Sequence, residues 1–540
     1  METTGEAGSL VSRRQALKMG SIGLAGAGVS MAFVTNAFGA TSSIPAVMAA
    51  ASQPAVQIIK SAGGELKGTL VIAPGDAWIA GDTASGLWTY NGTYPGPILW
   101  AKPGDRVLLD VTNNLTQMTN THFHGFHVTP SGAGDNVFAH VAPGETFHHD
   151  FVIPADHPGG LYWYHPHMHG LTDKQLYNGM AGLFVIEGGA MALPALATKT
   201  HVLMALKNTS VTGTPPNRAL QSEPQAQNQT QTLNGDYQPA LTIAPGETQL
   251  WQIANIGNDA YYELALDGHV FTVVSEDGHL LWQSYEANQL FMPPGKRFEV
   301  AVTGSSTPGP YSLRQLGYTQ GPFGQWPPQV LGTLTVAGAA QTPAVIPANP
   351  GPRDDLANET IANHRTVTMS ESFDAATNTP YFYMDGVLFQ NITPNEVVQV
   401  TLGTTEEWVI RNDPSVAAGG TVEDHPFHLH INHMVLQGTG TWDPATGQST
   451  SFTAADPAGR IDTINVKSGE YALVRVKFTD YAGLTVFHCH ITFHEDMGMM
   501  GQVNINLAPI TPTTTTTTTT APVTPVRPAT PVIVNPSFTG

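Results

Sequence analysis

Tyr90-Asn91-Gly92-Thr93-Tyr94-Pro95-Gly96-Pro97 runs into Pro103-Gly104-Asp105-Arg106-Val107 and closes at Asn113-Asn114. This stretch holds a turn, an apolar strand, a Gly-containing turn and a second strand, Arg106-Val107-Leu108-Leu109-Asp110-Val111, in which polar and apolar residues alternate. Alternation marks a strand with one buried face, because successive side chains point to opposite sides. The same order returns twice. Leu233-Asn234-Gly235-Asp236 leads to Pro245-Gly246-Glu247 and Asn255, and Met384-Asp385-Gly386 leads through Gly403 to Trp408-Val409-Ile410-Arg411-Asn412. Positions 92, 235 and 386 are about 143 and 151 residues apart. Periods that long indicate duplicated domains rather than solenoid repeats. Leu473-Val474-Arg475-Val476-Lys477-Phe478 is a further half-buried strand. Many short strands separated by turn residues predict a β-sandwich in each repeat. The expectation is an all-β chain of three β-sandwich domains over residues 54–190, 197–345 and 355–508, with a Pro-rich connector from Thr342 to Arg353.

Composition agrees. Of 540 residues, 41% are hydrophobic and only 12% charged, which suits a chain that buries a core and excludes a disordered one. Fifty-five Gly and 41 Pro favour turns and short strands over long helices. A net charge of -20 argues against nucleic acid and anionic membrane surfaces as partners, and favours neutral or cationic ones.

The two ends read differently. Ser12-Arg13-Arg14-Gln15-Ala16-Leu17-Lys18 precedes a Gly/Ala-rich apolar stretch from Met19 to Phe38. This resembles a twin-arginine export signal spanning residues 1–39, cleaved after Ala37-Phe38-Gly39. The stretch is dilute in Leu and Ile, which speaks against a permanent membrane anchor. The expected location is therefore extracellular, cell-wall associated or periplasmic, without stable membrane insertion after cleavage. Residues 509–540, with threonine from Thr513 to Thr520 and a Pro/Val/Thr-rich end, have the composition of a disordered stalk.

Four His-x-His pairs occur among 21 histidines: His122-Phe123-His124, His165-Pro166-His167, His428-Leu429-His430 and His488-Cys489-His490. On a strand, residues i and i+2 share a face, so each pair presents two imidazoles to one side. One pair has an ordinary explanation as surface histidines; four pairs, two in the first domain and two in the third, point to metal. Cys489 is the chain's one cysteine, so it makes no internal disulfide. Lying between His488 and His490, it points to the opposite face, where His425, His494 and Met499 complete a second donor set. Two His, a thiolate and a weak axial Met form a blue-copper donor set. Eight histidines remain for a second site.

Thr121-His122-Phe123-His124-Gly125, Trp163-Tyr164-His165-Pro166-His167, His425-Pro426-Phe427-His428-Leu429-His430 and Phe487-His488-Cys489-His490-Ile491-Thr492-Phe493-His494-Glu495-Asp496-Met497-Gly498-Met499 resemble the copper motifs of three-domain multicopper oxidases of the laccase-like group. The resemblance spans about residues 55–507. It implies three cupredoxin-like Greek-key domains and four copper ions. A type 1 copper would be held by His425, Cys489, His494 and Met499, and a type 2 copper by His122 and His428. The type 3 pair would be held by His124, His165, His167, His430, His488 and His490. The resemblance further implies oxidation of phenols, aromatic amines or similar small reductants, with dioxygen reduced to water. Glu495 and Asp135 resemble the family's proton-relaying acids; their ordinary reading is a hydrogen bond to a ligand and an Asp in a Gly-rich turn. The second domain is expected to act mainly as a spacer that also lines the substrate entrance, where Asn208–Gln231 is one such loop.

Oxidation of cuprous or other metal ions is an alternative reading of the same motifs, although no Met-rich insertion accompanies Met168, Met180 and Met497–Met500. A copperless exported scaffold or a copper store is a reading from another class. The complete ligand set speaks against the first, and the Cys489 bridge between two unlike sites against the second. Among the remaining histidines, His127, His169 and His433 lie near ligands. His140, His148, His149, His157, His201, His269, His279 and His364 are expected to be solvated or in turns.

Overall fold

The computed structural model describes residues 46–47, 56–214, 218–221, 230–322, 324–374, 376–377, 379–415, 423–456 and 458–508. The export segment 1–39, the tail 509–540 and part of the Asn208–Gln231 loop fall outside the described residues.

Strands pair into three two-sheet sandwiches. In the first, Asp82–Tyr90, Glu65–Ile79, Arg106–Asn113 and Thr146–Val152 face Gly96–Ala101, Gly182–Ile186, Gly160–His165 and His122–His124. In the second, His201–Thr209, Thr248–Asn255, Arg297–Thr303, Phe271–Glu276 and His279–Ala287 form one sheet, and Ala240–Ile243, Gln329–Val336, Gly309–Gln315, Tyr262–Leu266 and Leu290–Met292 the other. In the third, Thr379–Met384, Ile361–Asp374, Thr405–Asp413, Glu470–Lys477 and Met434–Thr441 face Val398–Thr401, Met500–Asn506, Gly483–Cys489, His425–Leu429 and Thr463–Val466. The three cupredoxin-like sandwiches read from the sequence are present.

The duplication is visible in the backbone. Each repeat begins with an Asn-Gly or Asp-Gly pair at left-handed φ: Asn91 55° and Gly92 70°, Asn234 54° and Gly235 84°, Asp385 54° and Gly386 76°. Two consecutive positive φ values make a type I′ turn, which these residue pairs tolerate best. Each domain also pairs, in parallel, a strand ahead of that turn with a later strand beyond it: Glu65–Ile79 with Arg106–Asn113, His201–Thr209 with Thr248–Asn255, and Ile361–Asp374 with Thr405–Asp413.

Alternation sorts side chains between layers. Val107, Leu109 and Val111 enter the first domain's core while their neighbours reach outward. The strands Gly96–Ala101, Gly160–His165 and Gly182–Ile186 are buried on both faces. Leu99, Tyr162, Tyr164 and Phe184 fill that same core. Ile98, Trp100, Leu161, Trp163, Leu183 and Val185 pack instead on Leu203, Ala205, Ala254 and Ile256 of the second domain. A two-sided apolar strand is thus the sign of an inter-domain seam.

Three short strands cross the domain limits drawn from sequence. Val211–Thr212 and Arg218–Leu220 fall in the second repeat but extend the first domain's sheet beside Asp82–Tyr90. Ala46–Val47 lies ahead of the first repeat and pairs with His201–Thr209. Edge strands carry unpaired backbone groups that any adjacent extended segment can satisfy. Among the described residues, no helix is long and apolar enough to cross a membrane.

Candidate metal centre

The strands His425–Leu429 and Gly483–Cys489 are antiparallel, with Phe427 opposite Cys489 and His428 opposite His488. Phe427, Leu429, Phe487 and Cys489 face the third domain's core. The intervening His428 and His488 therefore face outward, toward the first domain. The ladder continues past the strand ends, where the His430 N–H donates to the Val486 carbonyl at 3.2 Å and the His490 N–H to the Pro426 carbonyl at 2.7 Å. In the first domain His122 lies opposite His165 and His124 opposite Trp163.

On the inner face, His425 shares the parity of Cys489, and the short helix Thr492–Asp496 folds His494 back beside them. The Cys489 Sγ lies 3.6 Å from His425 Nδ1 and 3.7 Å from His494 Nδ1, and the two nitrogens are 3.3 Å apart. A point equidistant from these three atoms lies roughly 2 Å from each, a metal–nitrogen distance. Burial raises the Cys489 thiol far above its ordinary range, so a thiolate here needs a cation to stabilise it. Soft sulfur with two imidazoles in a trigonal set suits copper. Met499 is fully buried in the same core, and its carbonyl accepts the Cys489 N–H at 3.1 Å. His494 carries a cover: Phe382 stacks on its ring at 3.9 Å, and Glu423 Oε2 meets its Nε2 at 3.1 Å. Phe493, its neighbour, is 43% exposed.

On the outer face, the eight remaining imidazoles converge between the first and third domains, all buried. His167 Nε2 and His430 Nε2 lie 3.1 and 3.0 Å from His488 Nε2, and His490 Nε2 lies 3.1 Å from His124 Nδ1. His122 stacks on His430 at 4.0 Å and His124 on His428 at 3.9 Å. Burial, and then the neighbouring imidazoles, hold these rings well below their ordinary range, so each offers a lone pair. Their hydrogen bonds fix which nitrogen offers it. The Nδ1–H of His122 donates to Asp135 at 2.9 Å, that of His165 to the Pro166 carbonyl at 2.9 Å, and that of His428 to the Asp462 carbonyl at 2.9 Å. The Nε2 atoms of these three rings are buried without a hydrogen-bond partner among the described residues. A buried, unsatisfied lone pair is costly unless a metal takes it. The donor sets thus fit copper at both places.

Both sequence-predicted acids border ligands. Asp135 accepts from His122 and from the Phe123 N–H at 2.9 Å, and burial pushes it up to about 8. Glu495 accepts from the Thr172 hydroxyl at 3.1 Å and lies 3.4 Å from His167 Nδ1 and 3.5 Å from His488 Nδ1. Burial, with the Asp496 charge beside it, raises Glu495 well above the carboxylate range.

Three expectations need correction. The second domain is more than a spacer: its Pro293-Pro294-Gly295-Lys296-Arg297 turn reaches the histidine cluster. Gly295, at φ +88°, sits so close that a Cβ there would lie 3.0 Å from His124 Cε1 and 3.2 Å from His490 Cδ2. His149 and His157 are buried rather than solvated, because they pack against Phe123 and Phe126 in the first domain. His269 is buried too, its ring set edge-on against Tyr311. Sequence reasoning also missed Asp462, whose Oδ1 meets His124 Nε2 at 3.3 Å. Asp462 lies 32 or more residues from every His-x-His pair except His488-Cys489-His490, and no spacing ties it to any of them.

Multicopper oxidase family models match residues 72–190, 197–328 and 361–508. The chain is 26% identical to the multicopper oxidase mco of Staphylococcus haemolyticus over 77% of its own length and 83% of that protein's. It is 26% identical to a laccase of Bacillus subtilis, over 78% and 90% of the two chains. A solved multicopper oxidase from Campylobacter jejuni, described as a metallo-oxidase, superposes with a TM-score of 0.68 at 24% identity, covering 84% of this chain and 96% of that one.

Proposed function

The chain belongs to the multicopper oxidase family and is a copper-dependent oxidoreductase using dioxygen and a reductant; from that premise we propose that it couples one-electron oxidation of a phenolic or similar small reductant at a type 1 copper to four-electron reduction of dioxygen to water at a three-copper cluster. The observation that carries this reading is the tripeptide His488-Cys489-His490, whose middle residue faces one donor set and whose outer residues face the other. When bound, the coppers supply the one-electron steps and the binding of dioxygen. His425, Cys489 and His494, with Met499 as a fourth candidate, would hold the type 1 ion. His122 and His428 would hold the type 2 ion through the Nε2 atoms left bare by their Nδ1 hydrogen bonds. His124, His165 and His490 would hold one type 3 ion, and His167, His430 and His488 the other.

The protein's own part is positioning, insulation and proton supply. Cys489 links the two donor sets through a few covalent bonds of one backbone, so electron transfer needs no moving part. Reducing dioxygen to water takes four protons. Glu495 stands against two cluster ligands and is bonded to Thr172 on the helix Thr172–Tyr177, which supports it as a proton donor to the cluster. Asp135, which accepts the Nδ1–H of His122 at 2.9 Å, is the second acid of the proton path.

Phe382 and Phe493 around His494 favour an aromatic donor. A second reading, oxidation of a metal ion as substrate, draws on a different observation: Glu423 at His494 Nε2, with Glu371 Oε1 accepting the Glu423 N–H at 3.2 Å, gathers two carboxylates at the same ring. The paired Arg13-Arg14 ahead of an apolar stretch supports export by the twin-arginine route. The copper-loaded protein should show a strong band near about 600 nm. Oxygen uptake compared with a phenol, bilirubin and cuprous ion, with and without added copper, separates the donors. Loaded protein that consumes no oxygen with any of them would overturn the oxidase reading.

A further inference from the structure

Arg297 is among the largest fully buried side chains, and it comes from the second domain, which contributes no candidate ligand. Its guanidinium crosses to the third domain, where Nη1 donates to Asp462 Oδ1 at 2.8 Å and lies 2.8 Å from Oδ2. It is anchored on the way, with Nε donating to the Leu161 carbonyl of the first domain at 3.2 Å. Asp462 in turn meets two rings of the cluster. Its Oδ1 faces His124 Nε2 at 3.3 Å, and its carbonyl accepts from His428 Nδ1 at 2.9 Å. The second domain also grips the backbone of the same residue. Asp277 Oδ2 accepts the N–H of Asp462 at 3.1 Å, Asp277 Oδ1 accepts the N–H of Arg297 at 3.1 Å, and Lys296 Nζ donates to Asp277 Oδ2 at 3.0 Å. Gly125, three residues from His122 and adjacent to His124, leaves room for this pair: a Cβ there would lie 2.3 Å from Arg297 Nη2 and 2.7 Å from Asp462 Oδ2.

We propose that Arg297 and Asp462 form an inter-domain clamp that sets the orientation and tautomer of His124 and His428, so that a complete copper cluster forms only when all three domains are docked. The inference rests on the three-copper reading above. Because Asp462 takes the Nε2–H of His124, that ring presents Nδ1 to the cluster, facing His490. Because the Asp462 carbonyl takes the Nδ1–H of His428, that ring presents Nε2 instead. Two rings stacked at 3.9 Å thus offer opposite nitrogens, and one residue dictates both choices. A buried carboxylate in this position needs a partner charge, and Arg297 is that partner. Arg297 acts on copper only through Asp462; both are positioning residues. Removing the outer partner of a metal-binding His typically weakens the metal by about 10–100-fold.

The test is copper retention in full-length protein, with Arg297→Met, Arg297→Lys and Asp462→Asn set beside the wild type. Each is loaded with copper, titrated with a chelator, and followed by total copper, by the type 2 electron paramagnetic resonance signal and by the band near about 600 nm. Arg297→Met and Asp462→Asn should lose cluster copper at roughly tenfold or more lower chelator concentration while keeping that band. The Arg297→Met, Asp462→Asn double variant should be no worse than the poorer single variant. Arg297→Lys, which keeps the charge but not the fork, should fall between. Wild-type retention and an unchanged type 2 signal in both Arg297→Met and Asp462→Asn would overturn the clamp. Should Arg297→Met fail to fold, Arg297→Lys and Asp462→Asn decide: wild-type behaviour in both rejects the proposal. A wild type that never takes up cluster copper would instead reject the three-copper reading itself.

Discussion

The two donor sets flank one backbone strand and are built in opposite ways. The cysteine site takes His425, Cys489, His494 and Met499 from a single domain, within one apolar core. The histidine cluster takes rings from the first and third domains and is braced by a buried ion pair between Arg297 of the second and Asp462 of the third. The first depends on local register, because Phe427 and Cys489 must stay opposite each other. The second depends on docking, because no single sandwich holds more than half of its rings. On the proposed reading, electron entry is therefore a property of one domain, and oxygen chemistry a property of the assembly.

Substitutions can break that contrast in graded ways. The largest effect should come from Cys489→Ser, which removes the shared residue: the band near about 600 nm and turnover should both vanish, activity falling roughly a thousand-fold or more. His430→Ala should divide the sites, abolishing oxygen uptake at unchanged absorbance near about 600 nm; loss of that band would mean the sites are not separable. Asp135→Asn and Glu495→Gln should cost about 10–100-fold in turnover with the band intact. In Glu495→Gln the solvent isotope effect on reoxidation should increase if its proton is in flight.

The smallest effect concerns docking rather than chemistry. Lys207 is fully buried in the second domain, donates to the Leu176 carbonyl of the first at 2.8 Å, and is pushed down to about 7 by burial. The unfolded chain keeps this proton up to about 10.4. Between these values the unfolded state binds more protons, so stability rises with pH, and the cost of the buried charge is greatest below about 7. Lys207→Met should therefore stabilise the protein most below about pH 7 and by progressively less as the pH rises toward about 10, measured as the unfolding midpoint. A gain independent of pH would show that Lys207 enters the fold without a titration cost.

The same contrast explains what was legible in the sequence. His-x-His pairs, the lone Cys489 and the Asn-Gly turns are local patterns, and strand periodicity converts them directly into faces and turns. The cysteine site followed because its members lie within 75 residues of one another, from His425 to Met499. Asp462 and Arg297 were not legible. They are 165 residues apart, Arg297 opens an ordinary-looking strand and Asp462 sits in a loop, and only the packing of three domains brings them together. The buried His149 and His157 failed for a related reason: nothing local distinguishes a ring packed on phenylalanine from a solvated one. Two-sided burial of Gly96–Ala101 was likewise invisible, since it reflects a neighbouring domain rather than the strand's own sandwich.

The central claim is that electrons pass from the Cys489 site to dioxygen only through the histidine cluster. Its most direct test is stopped-flow absorbance near about 600 nm after anaerobic reduction by a small donor and mixing with dioxygen, in wild type and His430→Ala. The account predicts rapid return of the band in the wild type, with four electrons consumed per dioxygen and no peroxide released, and no rapid return in His430→Ala. Equal rates of return in the two proteins would contradict it.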